Sequence, residues 1–158
     1  MTREEQRLQV IEACLQLQEH LAGVAKQEMD SAQQQSNEYG ANVDRYDSYR
    51  TKMMRQRDMY AKQLSNANAN IRVLQELRKL PPFEEAQHGA IVITNLQNFF
   101  LSIGAGKFLV PFKSPLNIPQ QTFFAISAQT PIYIALKGKK VGDTIIFNGR
   151  TQTIQSIF

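Results

Sequence analysis

Apolar residues recur at alternating spacings of three and four through the first half of the chain. In the first run these residues are Val10, Cys14, Leu17, Leu21 and Val24, with a flanking row at Leu8, Leu15, Ala22 and Met29. In the second run they are Tyr46, Met53, Tyr60, Leu64, Ala67, Ile71 and Leu74. This spacing is that of the apolar seam of a coiled coil. The pattern therefore predicts two long helices that each bury one stripe.

The two predicted helices, each about 35 residues long, are separated by a break near Gly40. The apolar pattern fails between residues 33 and 42, where serine, asparagine and glycine weaken a helix. Thr2 and Glu5 have the spacing of a capping box, so the first helix can begin there. The second should end before Pro81, because a residue preceding proline resists helical torsions. The break lies near the midpoint, as an antiparallel hairpin with equal arms requires. A homodimeric coiled coil that uses both seams is the alternative.

Short apolar runs, rich in β-branched and aromatic residues, follow in the second half of the chain. The runs that predict strands are 90–94, 99–103, 108–110, 123–126, 144–147 and 151–154. Asn148-Gly149, between the last two runs, is the clearest hairpin signal in the chain. Pro131 opens a predicted short helix that ends at Leu136. This half therefore predicts a small domain with an antiparallel sheet and one short helix, and the whole chain is of the α+β class.

Proline and glycine divide the chain at the same place as the apolar pattern. All six prolines and six of the eight glycines follow Leu80. A helix can run uninterrupted before this point and cannot after it. We therefore expect a helical hairpin over residues 1–80, with its tip near residues 36–47, and a second domain over residues 84–158.

Composition narrows the class of protein. The net charge of +4 is mildly basic, and the single cysteine excludes an intrachain disulfide. No apolar run approaches the roughly 18 residues that a membrane span needs. The first residues are charged and lack the apolar core of a signal peptide. We expect a cytoplasmic, monomeric protein with no membrane partner.

Residues that commonly carry catalysis are sparse. His20 and His88 have no neighbouring cysteine or second histidine, so a zinc site is not expected. Cys14 occupies a seam position and is interpreted as a core residue. Gly104-Ala105-Gly106-Lys107 joins two predicted strands and does not open a helix, which is typical of a turn and not of a phosphate loop. We therefore do not expect an enzyme that acts alone.

Two charged features lie near the predicted tip. Asp44 and Asp47, three residues apart, share a helix face, with Glu38 nearby. Such a pair suits a helix N-terminus, and it can also hold Mg²⁺ jointly with ligands from another molecule. The cations that form a basic band nearby are Arg45, Arg50, Lys52, Arg55, Arg57 and Lys62. This basic band is either a solvated helix face or a path for a phosphodiester backbone.

The segment from Ile126 to Asp143 resembles the C-terminal signature of bacterial Gre-type transcript-cleavage factors. It reads ISAQTPIYIALKGKKVGD, and the family pattern is roughly I-S-x-x-S-P-[IL]-x-x-x-L-x-G-K-x-x-G-D. Residues 89–94 resemble the first strand of the family's second domain, and residues 153–157 resemble its last strand. The layout is also similar, since the family has an N-terminal antiparallel coiled coil followed by an FKBP-like domain. The resemblance covers nearly the whole chain.

This resemblance implies a partner and a role for the tip. Factors of the family bind bacterial RNA polymerase and insert the coiled coil into its secondary channel. There they stimulate the polymerase itself to hydrolyse backtracked RNA, and so act only indirectly on the RNA 3′ end. The tip motif D-x-x-E of the family corresponds to Asp44 and Asp47, which would share a Mg²⁺ ion with the polymerase. The docking residues that the resemblance implies on the second domain are Ser127, Gln129, Pro131 and Ile132.

The chain departs from the family pattern at three places. Asp47 is one methylene shorter than the usual glutamate, Ile134 stands where the family has arginine, and residues 111–119 form a proline-rich loop absent from the usual pattern. A regulator that occupies the channel without promoting cleavage is therefore an alternative. A structural coiled-coil protein and a prolyl isomerase are two others. The isomerase is disfavoured because the chain has no tryptophan for an aromatic pocket.

Overall fold

Two long helices and a six-stranded sheet make up the fold. The computed structural model describes residues 2–38, 44–111 and 120–158, and it describes only the backbone of residues 44–47. The elements in chain order are α1 (Arg3–Glu38), α2 (Asp44–Arg78), β1 (Ile91–Thr94), β2 (Asn98–Leu101), β3 (Gly106–Val110), β4 (Gln121–Ile126), α3 (Pro131–Leu136), β5 (Thr144–Phe147) and β6 (Arg150–Ile157). The α+β class expected from the sequence is confirmed.

The helix ends follow the local sequence signals. The backbone N–H of Glu5 donates to Thr2 Oγ1 at 3.1 Å, and the backbone N–H of Thr2 donates to Glu5 Oε2 at 3.0 Å. This reciprocal pair is the predicted capping box. At the other end, α2 stops at Arg78, before Pro81, and its last turn closes with a bond from Leu80 N–H to Leu77 O at 3.2 Å. The predicted break near Gly40 lies outside the described residues.

The chain divides into two compact units, which are residues 1–15 with 73–158, and residues 16–72. Within the second unit, side-chain hydrogen bonds join α1 to α2. The pairs are Gln18 with Asn70, Gln33 with Arg57 and Gln35 with Tyr49, at 3.2, 2.6 and 3.3 Å. Residue numbers fall along α2 as they rise along α1, so the two helices run antiparallel, as a hairpin requires.

The buried stripe of α1 differs from the predicted seam. Leu21 and Val24 are 46% and 44% exposed, so the expectation that they are seam residues was wrong. The buried residues of α1 include Arg7, Val10, Ile11, Cys14, Leu15, Gln18, Ala22, Ala25, Ala32 and Ser36. Two successive spacings of four, from Cys14 to Gln18 to Ala22, turn this stripe away from a strict heptad. The predicted seam of α2 is confirmed at Met53, Ala67 and Leu74.

The sheet has the strand order β3-β4-β2-β1-β6-β5. Strands β2 and β4 pair in parallel, with Phe99 opposite Phe124 and Leu101 opposite Ile126, so the prediction of a wholly antiparallel sheet was wrong. The other strand pairs are antiparallel. The buried run from Phe99 to Leu101 gives the physical reason, because a strand with both faces covered takes a central position. The chain therefore passes from β2 to the edge as β3 and returns as β4.

The last hairpin and the short helix agree with the sequence. Asn148 and Gly149 have φ values of 51° and 75°, and this left-handed pair between β5 and β6 is the signature of a type I′ turn. Helix α3 buries Ile132, Tyr133 and Leu136 against the sheet. The sheet residues in the same core include Val92, Phe99, Leu101, Ile126, Ile145 and Ile154.

Candidate functional site

The acidic pair lies in the first turn of α2. The helix begins at Asp44, so Asp44 and Asp47 occupy positions where the positive end of the helix dipole favours carboxylates. Their side chains, and those of Arg45 and Tyr46, lie outside the described residues. Among the side chains that are described, no group of three or more His, Cys, Asp or Glu residues could hold a metal ion. Two carboxylates leave most of the six positions around Mg²⁺ to other ligands, so this donor pair suits the ion only within a shared site.

A polar groove follows the acidic pair along one face of α2. Its described lining consists of Ser48, Thr51, Lys52 and Arg55, at the three- and four-residue spacings that bring side chains together on a helix. Hydroxyl groups and cations of this kind donate hydrogen bonds to phosphate oxygens. The groove thus brings together Lys52 and Arg55, two members of the predicted basic band.

Other members of the basic band have different surroundings. Arg57 donates from Nη1 to Gln33 Oε1 at 2.6 Å and from Nη2 to Asp58 Oδ1 at 2.6 Å. Its guanidinium is therefore engaged between the two helices. Arg50 and Lys62 have exposed side chains. The basic band is not one uniform surface, because its cations differ in what they contact.

The predicted docking segment begins directly after β4. Gln129 and Pro131 are exposed and Ser127 is half-buried, so these three side chains can contact a partner. Ile132 is only 7% exposed and packs in the core, so the expectation that it lies at the surface was wrong. The physical reason is that α3 begins at Pro131 and turns its second residue towards the sheet. Ile134, two residues further along α3, is 66% exposed.

The parallel pairing of β2 and β4 places another turn beside the docking segment. The backbone N–H of Ser102 donates to Ile126 O at 3.0 Å, just where both strands end. A Cβ atom on Gly104 would lie 3.7 Å from the Cβ of Ser127. Thr130 Oγ1 donates to Ser127 O at 2.8 Å and holds the segment in a tight bend before α3. Residues 104–107 form a turn and the start of β3, as expected, and open no helix.

A buried arginine that the sequence analysis did not single out joins α1 to the rest of its unit. Arg7 is 2% exposed. Its guanidinium donates to the backbone oxygens of Leu77 at 2.9 Å, Leu80 at 3.3 Å, Phe158 at 3.4 Å, and Gly89. Burial lowers the pKa of this guanidinium to about 10. Backbone carbonyl dipoles thus compensate the buried charge of Arg7. Through these bonds Arg7 connects the start of α1 to the end of α2, to the segment before β1 and to the end of the chain after β6.

Arg3 makes a second, more exposed set of contacts one turn earlier. It donates to Glu84 Oε1 at 2.7 Å and to the backbone oxygens of Phe83 at 2.7 Å and Ile157 at 2.9 Å. One signal in the sequence points to the burial of Arg7. It stands seven residues before Cys14, so it occupies the equivalent position of the heptad, where a charged residue is unusual in a coiled-coil seam.

Cysteine and histidine do not form a reactive centre in the described residues. Cys14 is fully buried, which confirms its interpretation as a core residue. Burial raises the pKa of its thiol to about 12, so the thiolate is scarce at neutral pH. His20 and His88 are both exposed, one on α1 and one in the segment before β1.

Comparison of the chain with models of protein families, with curated proteins and with solved structures gave no match. Across the described parts of the chain, the helices lack the long apolar stretch that crossing a bilayer would need. What the protein does must therefore be inferred from its residues, their geometry and the resemblance of its C-terminal segment.

Proposed function

We propose that this protein is a Gre-like elongation factor. It binds bacterial RNA polymerase, inserts its paired helices into the secondary channel and stimulates cleavage of backtracked RNA. The observation that carries the proposal is the position of the acidic pair: α2 begins at Asp44, immediately beyond the far end of a 36-residue helix that runs antiparallel to it. An acidic pair at such a junction is what the tip of a cleavage factor requires.

The length of the helices supports this role. Helices α1 and α2 contain 36 and 35 residues, so each is about 50 Å long at about 1.5 Å per residue. A slender pair of this length can carry a functional group into a channel that is too narrow for a domain. The end of the pair, and not its sides, is then the part that meets the reacting atoms.

The chemistry of the tip would be shared with the polymerase. Asp44 and Asp47 would hold a Mg²⁺ ion together with acidic ligands of the polymerase, and the bound ion would stabilise the attacking and leaving oxygens of RNA hydrolysis. Two carboxylates supply no complete metal site. The protein is therefore a factor that assists the hydrolytic activity of its partner, and we do not expect it to hydrolyse RNA by itself.

The polar groove gives the extruded RNA a place next to the tip. Lys52 and Arg55, with the hydroxyl groups of Ser48 and Thr51, face one groove on α2. Contacts of this kind neutralise phosphates without reading the bases, so they suit a backtracked RNA of any sequence. We assign the RNA-facing role of the basic band to these two cations.

The second domain would dock on the polymerase at the rim of the channel. In this proposal the docking residues are Ser127, Gln129 and Pro131, and the domain is FKBP-like. The six-stranded sheet with one short helix packed on it supports that likeness. Ile132 takes no part, because its side chain is buried in the core.

Cleavage of RNA in stalled, backtracked polymerase complexes tests the proposal. We expect the wild type to stimulate cleavage, and Asp44→Asn and Asp47→Asn each to reduce the rate by about a hundredfold without weakening polymerase binding. Asp30→Asn, an exposed carboxylate on α1, is the matched control. If both tip variants cleave as fast as the wild type, the acidic pair has been assigned the wrong role.

A regulator that fills the channel without promoting cleavage is the second candidate. The short side chain of Asp47, one methylene less than the glutamate of the resembled family, favours it. If the wild-type protein binds polymerase and never stimulates cleavage, the regulator replaces the cleavage factor as the proposed function.

A further inference from the structure

The guanidinium of Arg57 is held by two acceptors on different helices. Nη1 donates to Gln33 Oε1 on α1 at 2.6 Å, while Nε and Nη2 donate to Asp58 Oδ1 on α2 at 3.0 and 2.6 Å. The side chain of Arg57 is 31% exposed. All three guanidinium nitrogens are thus engaged within the protein through three of the five N–H groups, which orients the side chain towards Gln33 and Asp58.

The position of Arg57 on α2 also separates it from the polar groove. Ser48, Thr51, Lys52 and Arg55 share one face of the helix. Arg57 follows Arg55 by two residues, a rotation of about 200° around the helix axis. Arg57 therefore faces α1, while the groove faces away from that contact.

Between Arg57 and the tip, few side chains are buried where the two helices meet. Within residues 30–38 and 48–57 the buried side chains are Ala32, Ser36 and Met53. Ser36 Oγ makes no hydrogen bond to any described residue, and Met53 is a flexible side chain that adapts to different neighbours. Two other described hydrogen bonds, Tyr49 to Gln35 at 3.3 Å and Asn70 to Gln18 at 3.2 Å, join neutral groups of the two helices. The charged bond of Arg57 at 2.6 Å is shorter, and charge-assisted bonds are the stronger kind, so it is the main directional contact between these helices near the tip.

We propose that Arg57 is a positioning residue that fixes the axial register of α2 against α1 and so places the first turn of α2, with Asp44 and Asp47. This inference rests on the proposed function and adds a role for Arg57, which acts through Gln33 and not on RNA. A slip of one helical turn moves α2 by about 5.4 Å. A displacement of that size would take the tip carboxylates out of reach of the polymerase site.

Exchanging the two partners tests this proposal. Arg57→Gln breaks the bridge, and the double variant Gln33→Arg with Arg57→Gln rebuilds it in the opposite direction. Arg72→Gln, an exposed arginine on the same helix, is the matched control. Two quantities are measured for each protein in cleavage of backtracked complexes, namely the maximal rate and the concentration that gives half of it. Amide hydrogen exchange over residues 44–56 is measured on the isolated protein.

Arg57→Gln should lower the maximal cleavage rate by about tenfold or more, because positioning errors near 1 Å already have large effects on rate. The half-saturating concentration should change by less than about twofold, since the docking residues are untouched. Exchange over residues 44–56 should become faster. The double variant should restore both the rate and the exchange, and Arg72→Gln should change neither.

Two results would overturn the proposal. In the first, the double variant restores exchange but not cleavage, which would show that position 57 needs its own cation next to RNA. In the second, Arg57→Gln leaves exchange over residues 44–56 unchanged. The exchange measurement needs no polymerase, so it decides the register even if wild-type protein stimulates no cleavage and the proposed function fails.

Discussion

The guanidinium of Arg7, near the start of α1, donates a hydrogen bond of 2.9 Å to the backbone oxygen of Leu77, in the last turn of α2. Backbone oxygens in the last turn of a helix lack the usual donor four residues further on, and Leu77 O accepts from Leu80 N–H at 3.2 Å as well as from Arg7. The same guanidinium serves Leu80, in the turn after α2, and Gly89, before β1. One side chain therefore closes the backbone hydrogen bonding where α2 gives way to the sheet.

Replacing Arg7 should destabilise the protein strongly. Arg7→Met removes the donor to the backbone oxygens of Leu80 and Gly89 and one of two donors to those of Leu77 and Phe158, and it empties a buried site. We expect a loss of about 3 kcal/mol or more in the free energy of unfolding. Arg78→Ala is the control, because Arg78 forms an exposed ion pair with Glu12 at 2.8 Å, and such pairs contribute less than about 1 kcal/mol. Urea unfolding followed by circular dichroism measures both. Equal losses in the two variants would contradict the role given to Arg7.

The thiol of Cys14 should give stability a specific dependence on alkaline pH. Burial raises its pKa to about 12 in the folded state, while an unfolded cysteine has a pKa of about 8.5. The folded state therefore favours the protonated thiol. Its contribution to the free energy of unfolding is complete below about pH 8.5 and is lost as the pH rises towards 12.

Two measurements check this behaviour of Cys14. The difference in unfolding free energy between the wild type and Cys14→Ala should shrink between about pH 8.5 and 11. Iodoacetamide at pH 8 should modify the native thiol about a hundredfold more slowly than the thiol in urea, since only the thiolate reacts. Rapid modification of the native protein would show that the thiol is accessible and ionised.

Lengthening the second tip carboxylate should increase activity if its reach is limiting. Asp47→Glu adds one methylene group, and we expect the maximal cleavage rate to rise by about tenfold because placement within 1 Å governs such rates. Asp30→Glu adds the same group on an exposed part of α1 and should have no effect. An unchanged rate in Asp47→Glu would mean that the shorter side chain already reaches the polymerase site.

If the protein acts as proposed, a charge on the outer face of α3 should weaken its binding to polymerase. Pro131→Asp and Ile134→Asp replace exposed side chains in or next to the docking segment, so both proteins should keep the fold. We expect the dissociation constant to rise by about tenfold or more, the effect of truncating or repelling a central contact. Ile146→Asp changes a residue that is 74% exposed on β5 of the same sheet, and it should bind like the wild type. Binding that is unaffected by both Pro131→Asp and Ile134→Asp would exclude α3 from the interface.

The observed burial of the two helices can be tested by truncating one buried leucine of α2 and one exposed leucine of α1. Leu74 is fully buried, and Leu74→Ala should lower the free energy of unfolding by about 2–5 kcal/mol. Leu21 is 46% exposed, and Leu21→Ala should lower it by less than about 1 kcal/mol. Thermal melts measure the stability of both variants. If Leu21 were a buried seam residue, as its heptad position predicts, Leu21→Ala would lower the stability as much as Leu74→Ala does.

The difference between these two leucines explains how far the sequence could predict the helices. The seam of α2 has an apolar residue at every seventh position from Met53 to Leu74, and its burial agrees with that pattern. After Leu15, the buried stripe of α1 is built from alanines and polar residues, such as Ala25, Gln18 and Ser36. A search for large apolar side chains cannot detect such a stripe, because its geometry is set by the partner helix and not by hydrophobicity.

In residues 84–158, too, the sequence predicted local structure better than contacts between distant elements. Local signals predicted the Asn148-Gly149 turn, the strands and α3, since each depends on neighbouring residues. The parallel pairing of β2 with β4 and the burial of Ile132 depend on which elements meet in space. Of the candidate site, the sequence proposed the acidic pair and the basic band, which stay predictions, and it could not separate the engaged Arg57 from the groove-facing Arg55.

The contacts of Arg3 and Arg7 have a consequence during synthesis of the protein. Arg3 bonds to Ile157 and Arg7 to Phe158, across sequence separations of 154 and 151 residues. At a translation rate of about 5–20 residues per second, the ribosome needs roughly 10–30 s to make the partners of these two arginines. Throughout that time the base of α1 lacks these two acceptors, although its acceptors between Leu77 and Gly89 are already made. Nascent chains should therefore resist protease only after β6 has left the exit tunnel, however early the helices form.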